Sequence, residues 1–302
     1  MADLITKYLS SLGALVLDIS PWLILGFLIA GLIQEFVPAR TLLRYFGAND
    51  WKSIGRASLA GLAVSVCSCG AIPIAVTLRN KGAATATALT FLLAAPWAGF
   101  IQFFILSGFI GAKNTLVIFI FAITVAFISG LILSKLEKFK LIEQKLVSDS
   151  ILEKEIFIES KTKKFPVRVK KSLYYSWDAF KEMAKYLGIG ILLASVLKAF
   201  VPTSFVSKYL GVKSSLDPIL VAIPVSAAIE LCSEGFSIFT GQLYQMGATL
   251  GVIFVMMMVG VTTDFTELSV IWGKFGRKSA LWYLATATIV AFLAAHIIDW
   301  CF

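Results

Sequence analysis

A chain of 302 residues that is 58% hydrophobic and only 15% charged cannot cover a water-soluble globule, so the composition requires a polytopic membrane protein. The net charge of +9 speaks of membrane topology and contact with an anionic leaflet, because no basic stripe with interleaved aromatics points to nucleic acid. Four cysteines do not make a secreted disulfide framework, since Cys67, Cys69 and Cys232 fall at membrane depth rather than in oxidising loops.

In chain order, Met1 to Ser11 is short, mixed and barely basic, with no sign of a cleavable signal peptide. Apolar runs long enough to cross about 30 Å of hydrocarbon follow at 18–37, 84–109, 114–134, 182–200, 249–272 and 280–300. The first ends at Pro38, which cannot continue a helix. A polar loop with Arg40, Arg44, Lys52 and Arg56 leads to an interrupted apolar segment, 57–78, and a tight turn at Arg79 to Gly82. The run beyond that turn is expected as one helix with Pro96 at its middle, and a link through Lys113 opens the next. Residues 135–181 are the one long hydrophilic stretch, with 12 Lys/Arg against 7 Asp/Glu, and read as a linker or small helical hairpin. The domains are therefore a first membrane repeat at 1–134, a cytoplasmic linker at 135–181 and a second repeat at 182–302, with another interrupted segment at 218–240.

The two halves are copies. Sliding the sequence by 165 residues lays Cys67 on Cys232, Cys69 on Glu234 and Gly70 on Gly235, and lays Lys81-Gly82-Ala83 on Met246-Gly247-Ala248. If segments 57–78 and 218–240 both cross, each repeat has four spans, eight in all, and the repeats are parallel; if both enter and return, each has three and the repeats are inverted. Lysine and arginine in short loops collect on the cytoplasmic side. With the linker inside, the crossing arrangement leaves ten basic residues on the wrong face, whereas the re-entrant one misplaces only Lys7, Lys113, Lys208 and Lys213. The expected fold class is thus all-α and polytopic, with two inverted repeats of three transmembrane helices plus one re-entrant helical hairpin, and a polar turn at each tip.

The chemistry concentrates at those tips. Cys67 and Cys69 place two thiols within one turn, and inversion brings Cys232 and Glu234 to the other side of the same midplane. Thiolates favour soft centres such as trivalent arsenic, antimony, Cu(I) or zinc, so Cys67, Cys69 and Cys232 are the candidate metalloid ligands. Gly70 and Gly235, with Pro73, are expected where the helix breaks and frees backbone groups for a ligand. Intramembrane carboxylates cost at least about 2.5 kcal/mol on insertion scales, which makes Glu230, Glu234, Asp264 and Glu267 pathway, proton-relay or pairing residues; Lys185 and Lys198 are the cations available for pairing. Asp264 and Glu267 are expected three apart on one face of a helix over 249–272, and Thr262 and Thr263 offer hydroxyls to the same path. Met256 to Met258 point round the helix and read as packing, His296 as interfacial, and Cys301 as structural or incidental. No nucleotide loop, hydrolytic metal cluster or nucleophile with a base in reach suggests an enzyme, and no cofactor is expected.

The run Val66-Cys-Ser-Cys-Gly-Ala-Ile-Pro-Ile74, followed by Lys81-Gly-Ala-Ala-Thr-Ala86 and Leu93-Ala-Ala-Pro96, resembles the YraQ-type predicted permease family, which includes the organoarsenical efflux permease ArsP. The resemblance covers both halves outside the linker. It implies an inner-membrane permease whose arsenic-exporting members hold trivalent arsenicals with membrane cysteines. That role carries over to Cys67 and Cys69 directly and to Cys232 only through the repeat. The expected function is a secondary transporter exporting a small thiophilic substrate, with proton coupling through the carboxylates. The alternatives are a channel or transporter for a small sulfur-containing anion, and a membrane dithiol redox protein. The partners expected are the substrate and the bilayer, without nucleic acid.

Overall fold

A computed structural model describes residues 24, 27–29, 31–32, 35–36, 45–64, 68–98, 100–143, 169–178, 180–181, 184, 217–228, 233–245 and 247–301. Its elements are α1 (Trp51–Val64), α2 (Ser68–Asn80), α3 (Thr85–Ala94), a 3-10 turn (Ala95–Ala98), α4 (Phe100–Ile110) and α5 (Ala112–Lys138). In the second half come α6 (Pro218–Ala228), α7 (Ser233–Gln245), α8 (Leu250–Thr262), α9 (Phe265–Lys274) and α10 (Arg277–Cys301). No strand occurs among the described residues.

The two sets of five keep the sequence offset. α2 and α7 both start and end 165 residues apart, and α3 and α8, α4 and α9, and α5 and α10 follow the same register at their starts. Gly82 and Gly247 turn the chain at φ 99° and 98°, and Gly111 and Gly276 at 82° and 104°. Only glycine enters that conformation without strain, so each repeat is punctuated at the same two places.

Among the described residues, α5 and α10 are the helices long and apolar enough to cross a membrane alone. Each exposes an apolar rail at four-residue spacing, Leu116, Ile120, Ile128 and Ile132 on one and Leu281, Ile289, Leu293 and Ile297 on the other. The rail suits lipid. By contrast α3 and α8 are buried along their whole lengths, and α2 is buried from Gly70 to Arg79. An apolar helix with no exposed face belongs inside a larger assembly rather than against lipid tails.

Both expected helices over 84–109 and 249–272 are in fact broken. α3 tightens into the 3-10 turn that contains Pro96 and bends by 55° into α4, because proline cannot donate to the preceding turn. α8 ends at Thr262 and bends by 45° into α9, and Asp264 stands between them in extended conformation. Asp264 and Glu267 therefore do not share a face of one helix: Asp264 Oδ1 accepts the Glu267 N–H at 2.5 Å and caps the helix whose first turn holds Glu267.

Chain direction follows from the ends. Glu143, just past α5, accepts hydrogen bonds from Lys278 N at 3.0 Å, Ser279 N at 2.8 Å and Ser279 Oγ at 2.8 Å, and so caps the start of α10. At the opposite face, Asp299 near the end of α10 accepts from Gly251 N and Thr249 Oγ1 at 2.6 Å each, and Asn114 at the start of α5 reaches Tyr244 Oη at 3.4 Å. α5 and α10 thus run antiparallel. The turn after α2 lies at the face where α5 ends, here the linker face, and the turn after α7 lies at the opposite one.

The broken helices are capped in matching fashion. Glu137, in the last turn of α5, accepts Thr85 N at 3.0 Å and Ala86 N at 2.9 Å at the start of α3, as Asp299 does for α8. Small residues set the close approaches: Gly61 of α1 packs on Phe91, Ala94 and Ala95, and Gly260 of α8 packs on Ser226 of α6, the same pair of positions after the offset. Outside the two sets, the helical residues near the start pack on those after the linker, with Phe27 edge-on to Phe180 at 5.5 Å and Glu35 3.4 Å from Lys171.

Glu143 gives a stability test at the linker face. Partial burial pushes its carboxyl up, but the Lys278 and Ser279 donors together hold it below the usual glutamate value of 4.5. A carboxyl lowered in the folded state stabilises above its unfolded pKa and loses that contribution as pH falls through the folded value. Glu143→Ala is expected to cost about 1 kcal/mol of stability, as loss of a cap does. Thermal melting in detergent should show this deficit at neutral pH, with the variant and wild type converging as the medium falls well below pH 4.5.

Candidate functional site

Four half-helices point into the protein. Arg79, at the end of α2, donates from Nη1 to Lys274 O and from Nη2 to Phe275 O at 3.4 Å, so α2 and α9 finish side by side at the linker face. At the opposite face Gly241 of α7 packs on Phe109 of α4, and these two helices likewise finish together. With a rise of about 1.5 Å per residue, arms of 10 to 13 residues reach about 15 to 19 Å inward. That is about half of a 30 Å hydrocarbon layer. Ser68 and Phe265 arrive from one face, Ser233 and Phe100 from the other. Each brings a helix N-terminus with its partial positive charge.

The expected site residues distribute over these ends. Cys69 and Gly70 lie in the first turn of α2, and Glu234 and Gly235 in the first turn of α7; Cys67, Cys232 and Glu230 lie outside the described residues. The two glycines are helical rather than at the break, and neither has a positive φ. A break there is unnecessary, since a helix N-terminus already carries a partial positive charge. Pro73 also sits within α2, where it has no N–H for the Cys69 carbonyl one turn back.

At the α8–α9 break, Glu267 is fully buried, its Oε1 accepts from Tyr283 Oη at 2.5 Å, and its Oε2 has no hydrogen-bond partner. Asp264 beside it is 8% exposed. The Thr262 and Thr263 hydroxyls donate to Met258 O and Val259 O of their own helix, which leaves each oxygen only its lone pairs to offer. Pro96 is buried in the 3-10 turn of the other break, next to Trp97, whose ring lies 6.0 Å from Phe119 and 6.4 Å from Phe254.

Two polar groups at that first break escaped the sequence reading. Gln102 is 1% exposed with neither amide atom hydrogen-bonded, and the Trp97 indole N–H is equally buried and unpartnered. The signal was available: the 165-residue offset lays Gln102 on Glu267.

Other expectations resolve simply. Met256, Met257 and Met258 are fully buried in α8, as packing residues are. His296 is exposed, with Nε2 3.0 Å from Asp217 Oδ2, and ties α10 to the start of α6. Cys301 is an exposed free thiol. Lys185 and Lys198 fall outside the described residues. Among the described residues no three His, Cys, Asp or Glu side chains gather as a metal site.

A family model described as "Predicted permease", ArsP_1, matches residues 5–300. The chain is 26% identical to the UPF0718 protein YcgR of Bacillus subtilis over 94% of each chain. It is 22% identical to the UPF0718 protein MJ0584 of Methanocaldococcus jannaschii, covering 91% of this chain and 90% of that one. No solved structure matches it. A match that runs from one end of an all-helical, membrane-suited chain to the other places this protein in the ArsP_1 predicted permease family, among multi-pass membrane transporters.

Proposed function

We propose that the protein is a secondary transporter of the cell's inner membrane, built as two inverted repeats with the linker on the cytoplasmic side. It exports a small thiophilic substrate, such as a trivalent arsenical, through a midplane site. The observation that carries this reading is the antiparallel course of α5 and α10, with α2 and α9 ending at one face and α7 and α4 at the other, so that four half-helices start inside the protein. Basic residues support the orientation, since Arg79, Lys81, Lys135, Lys138, Lys274, Arg277 and Lys278 gather at the linker face.

In this reading Cys67 and Cys69 form two bonds to the soft centre at the tip of α2, and Cys232 at the tip of α7 exchanges with them as the substrate passes. A helix N-terminus favours thiolate over thiol, which suits ligands that must be deprotonated. Glu230 and Glu234 relay protons released by that exchange, while Asp264, Glu267, Thr262, Thr263 and Pro96 line the passage at the two breaks. Alternating access is a rocking of one repeat on the other about the fixed site. Replacing Cys67 and Cys69 together by serine is expected to abolish tolerance to trivalent arsenicals in expressing cells. Unchanged tolerance, with the variant present in the membrane, sinks the thiol site.

A second reading has its own support. Four converging positive helix ends favour an anion, so a small sulfur-containing anion held by the half-helices is the alternative cargo. In that case a cysteine takes part only in brief sulfur exchange, and the double serine variant keeps arsenical tolerance unaltered while transport of the anion falls.

A further inference from the structure

Three of the four inward helix ends carry their own acid or thiol. α2 has Cys69 in its first turn, α7 has Glu234, and α9 has Asp264 as its cap and Glu267 in its first turn. α4 has none, because its first turn reads Phe100-Ile101-Gln102-Phe103 and the residue standing where Asp264 stands is Gly99. It alone among the four has a positive helix end with no counter-charge of its own in the sequence.

Gln102 lies in that first turn, 1% exposed, with both amide atoms unpartnered. Its isolation has a cause in the sequence. In the second repeat the equivalent Glu267 is met by Tyr283, whereas the residue 165 positions before Tyr283 is Ile118, fully buried and without a polar atom to offer. Trp97, in the turn leading into α4, adds an unpartnered indole N–H that is also 1% exposed. A buried polar group left unsatisfied costs about 1 to 3 kcal/mol. Two of them in and beside the first turn of α4, in a protein where carboxylates cap the starts of α3, α8, α9 and α10, are groups kept for a ligand.

We infer that Gln102, Trp97 and the N-terminus of α4 form a binding subsite for an electron-rich oxygen of the substrate, opposite the thiols. This rests on the thiophilic reading above and narrows the cargo to an oxygen-bearing thiophile. The first break carries no Lys or Arg between Ala95 and Gln102, so the subsite suits a neutral hydroxyl, to which the indole and amide donate and from which the Gln102 carbonyl accepts. With arsenous acid the exchange balances without redox change: two thiols displace two hydroxyls, two As–S bonds replace two As–O bonds, two waters leave, and one As–OH remains. That remaining hydroxyl is what Gln102 holds. Phenylarsine oxide, hydrated to its dihydroxy form, loses both hydroxyls to the two thiols and keeps none.

The test uses the full chain in detergent and measures equilibrium binding of these two probes to wild type, Gln102→Met and Trp97→Phe. Methionine matches glutamine in shape without its hydrogen bonds, and phenylalanine removes the indole N–H. Both variants should melt no lower than wild type, since each removes an unsatisfied group. Gln102→Met is expected to weaken arsenous acid binding about tenfold and Trp97→Phe several-fold, with phenylarsine oxide binding unchanged in both. Equal losses for the two probes, or no loss for either, overturn the hydroxyl subsite. Should Gln102→Met not fold, Trp97→Phe decides by the same comparison. Wild-type protein that binds neither probe overturns the thiol reading together with this one, whereas wild type that binds both probes, with variants that show no loss selective for arsenous acid, overturns the subsite alone.

Discussion

Replacing Arg79 by methionine is expected to open the linker face. Arg79 is 8% exposed and ends the inward arm α2, yet it holds groups from three other places. Nε donates to Thr85 Oγ1 at 3.2 Å, Nη1 to Lys274 O, and Nη2 to Phe275 O and Glu143 O at 3.4 Å each, while the guanidinium lies 4.8 Å from the centre of the Phe275 ring. One planar cation thereby ties the first repeat's arm to the end of α9 and to the chain leaving α5. The repeat partner of Arg79 is Tyr244, whose tie to the other half is one hydrogen bond from Asn114 at 3.4 Å. Among the described residues, the linker face carries the larger set of hydrogen bonds between the halves.

Hydrogen bonds to a charged group contribute roughly 1.5 to 3 kcal/mol each, so losing even two of them shifts a closed-to-open ratio by about 100-fold or more. The measurement is the rate at which a cysteine placed at Ala83, in a background lacking the other thiols, reacts with a membrane-impermeant maleimide from the linker side. A rise of about that size is expected for Arg79→Met, and also for Arg79→Lys, because a lysine ammonium cannot bridge several carbonyls in one plane. Labelling rates equal to wild type in both variants remove Arg79 as the latch.

How far these features can be read without coordinates depends on what each signal encodes. The repeat was legible because it is a direct property of the sequence, and Gly82 and Gly247 show it in paired turns. The antiparallel course of α5 and α10 has a counterpart in the charge pattern, since Arg79 and Lys81 have uncharged partners in Tyr244 and Met246. The break at Asp264 was not legible, because Thr262-Thr263-Asp264 is a run that helices tolerate and that also caps them, and the choice depends on a hydrogen bond to Glu267 N. Arg79 read as a topology marker, since nothing local reveals that carbonyls of residues 274 and 275 lie in its reach. Gln102 was overlooked for another reason: a neutral amide carries no insertion penalty large enough to draw attention, and only its place opposite Glu267 in the repeat singles it out.

Glu267→Gln is expected to leave the protein folded and stop transport. The carboxyl is completely buried, takes one hydrogen bond from Tyr283 and leaves Oε2 unmatched, with Asp264 two residues beyond the end of α8 as its neighbour. A group placed so is poor structural cement, since a half-satisfied buried acid is a net cost to the fold. Thermal melting should therefore show Glu267→Gln, and Glu267→Leu as well, at or above wild type. If Glu267 carries a proton in the cycle, its loss should slow transport by about 100-fold or more, the scale on which positioned proton donors and acceptors act. Uptake of arsenous acid into everted vesicles, followed as a function of pH, is the direct measure. The variant's residual flux should no longer depend on an imposed proton gradient. Tyr283→Phe, which keeps the acid but removes its donor, should retain gradient dependence with altered pH response. The repeat supplies the sharper comparison. Because Gln102 holds the position in the first half that Glu267 holds in the second, the double exchange Gln102→Glu with Glu267→Gln keeps one acid and one amide across the midplane. Partial return of gradient-dependent flux in that double variant is expected if what matters is a single protonatable group between the two breaks. Wild-type flux in Glu267→Gln alone removes the residue from the transport cycle.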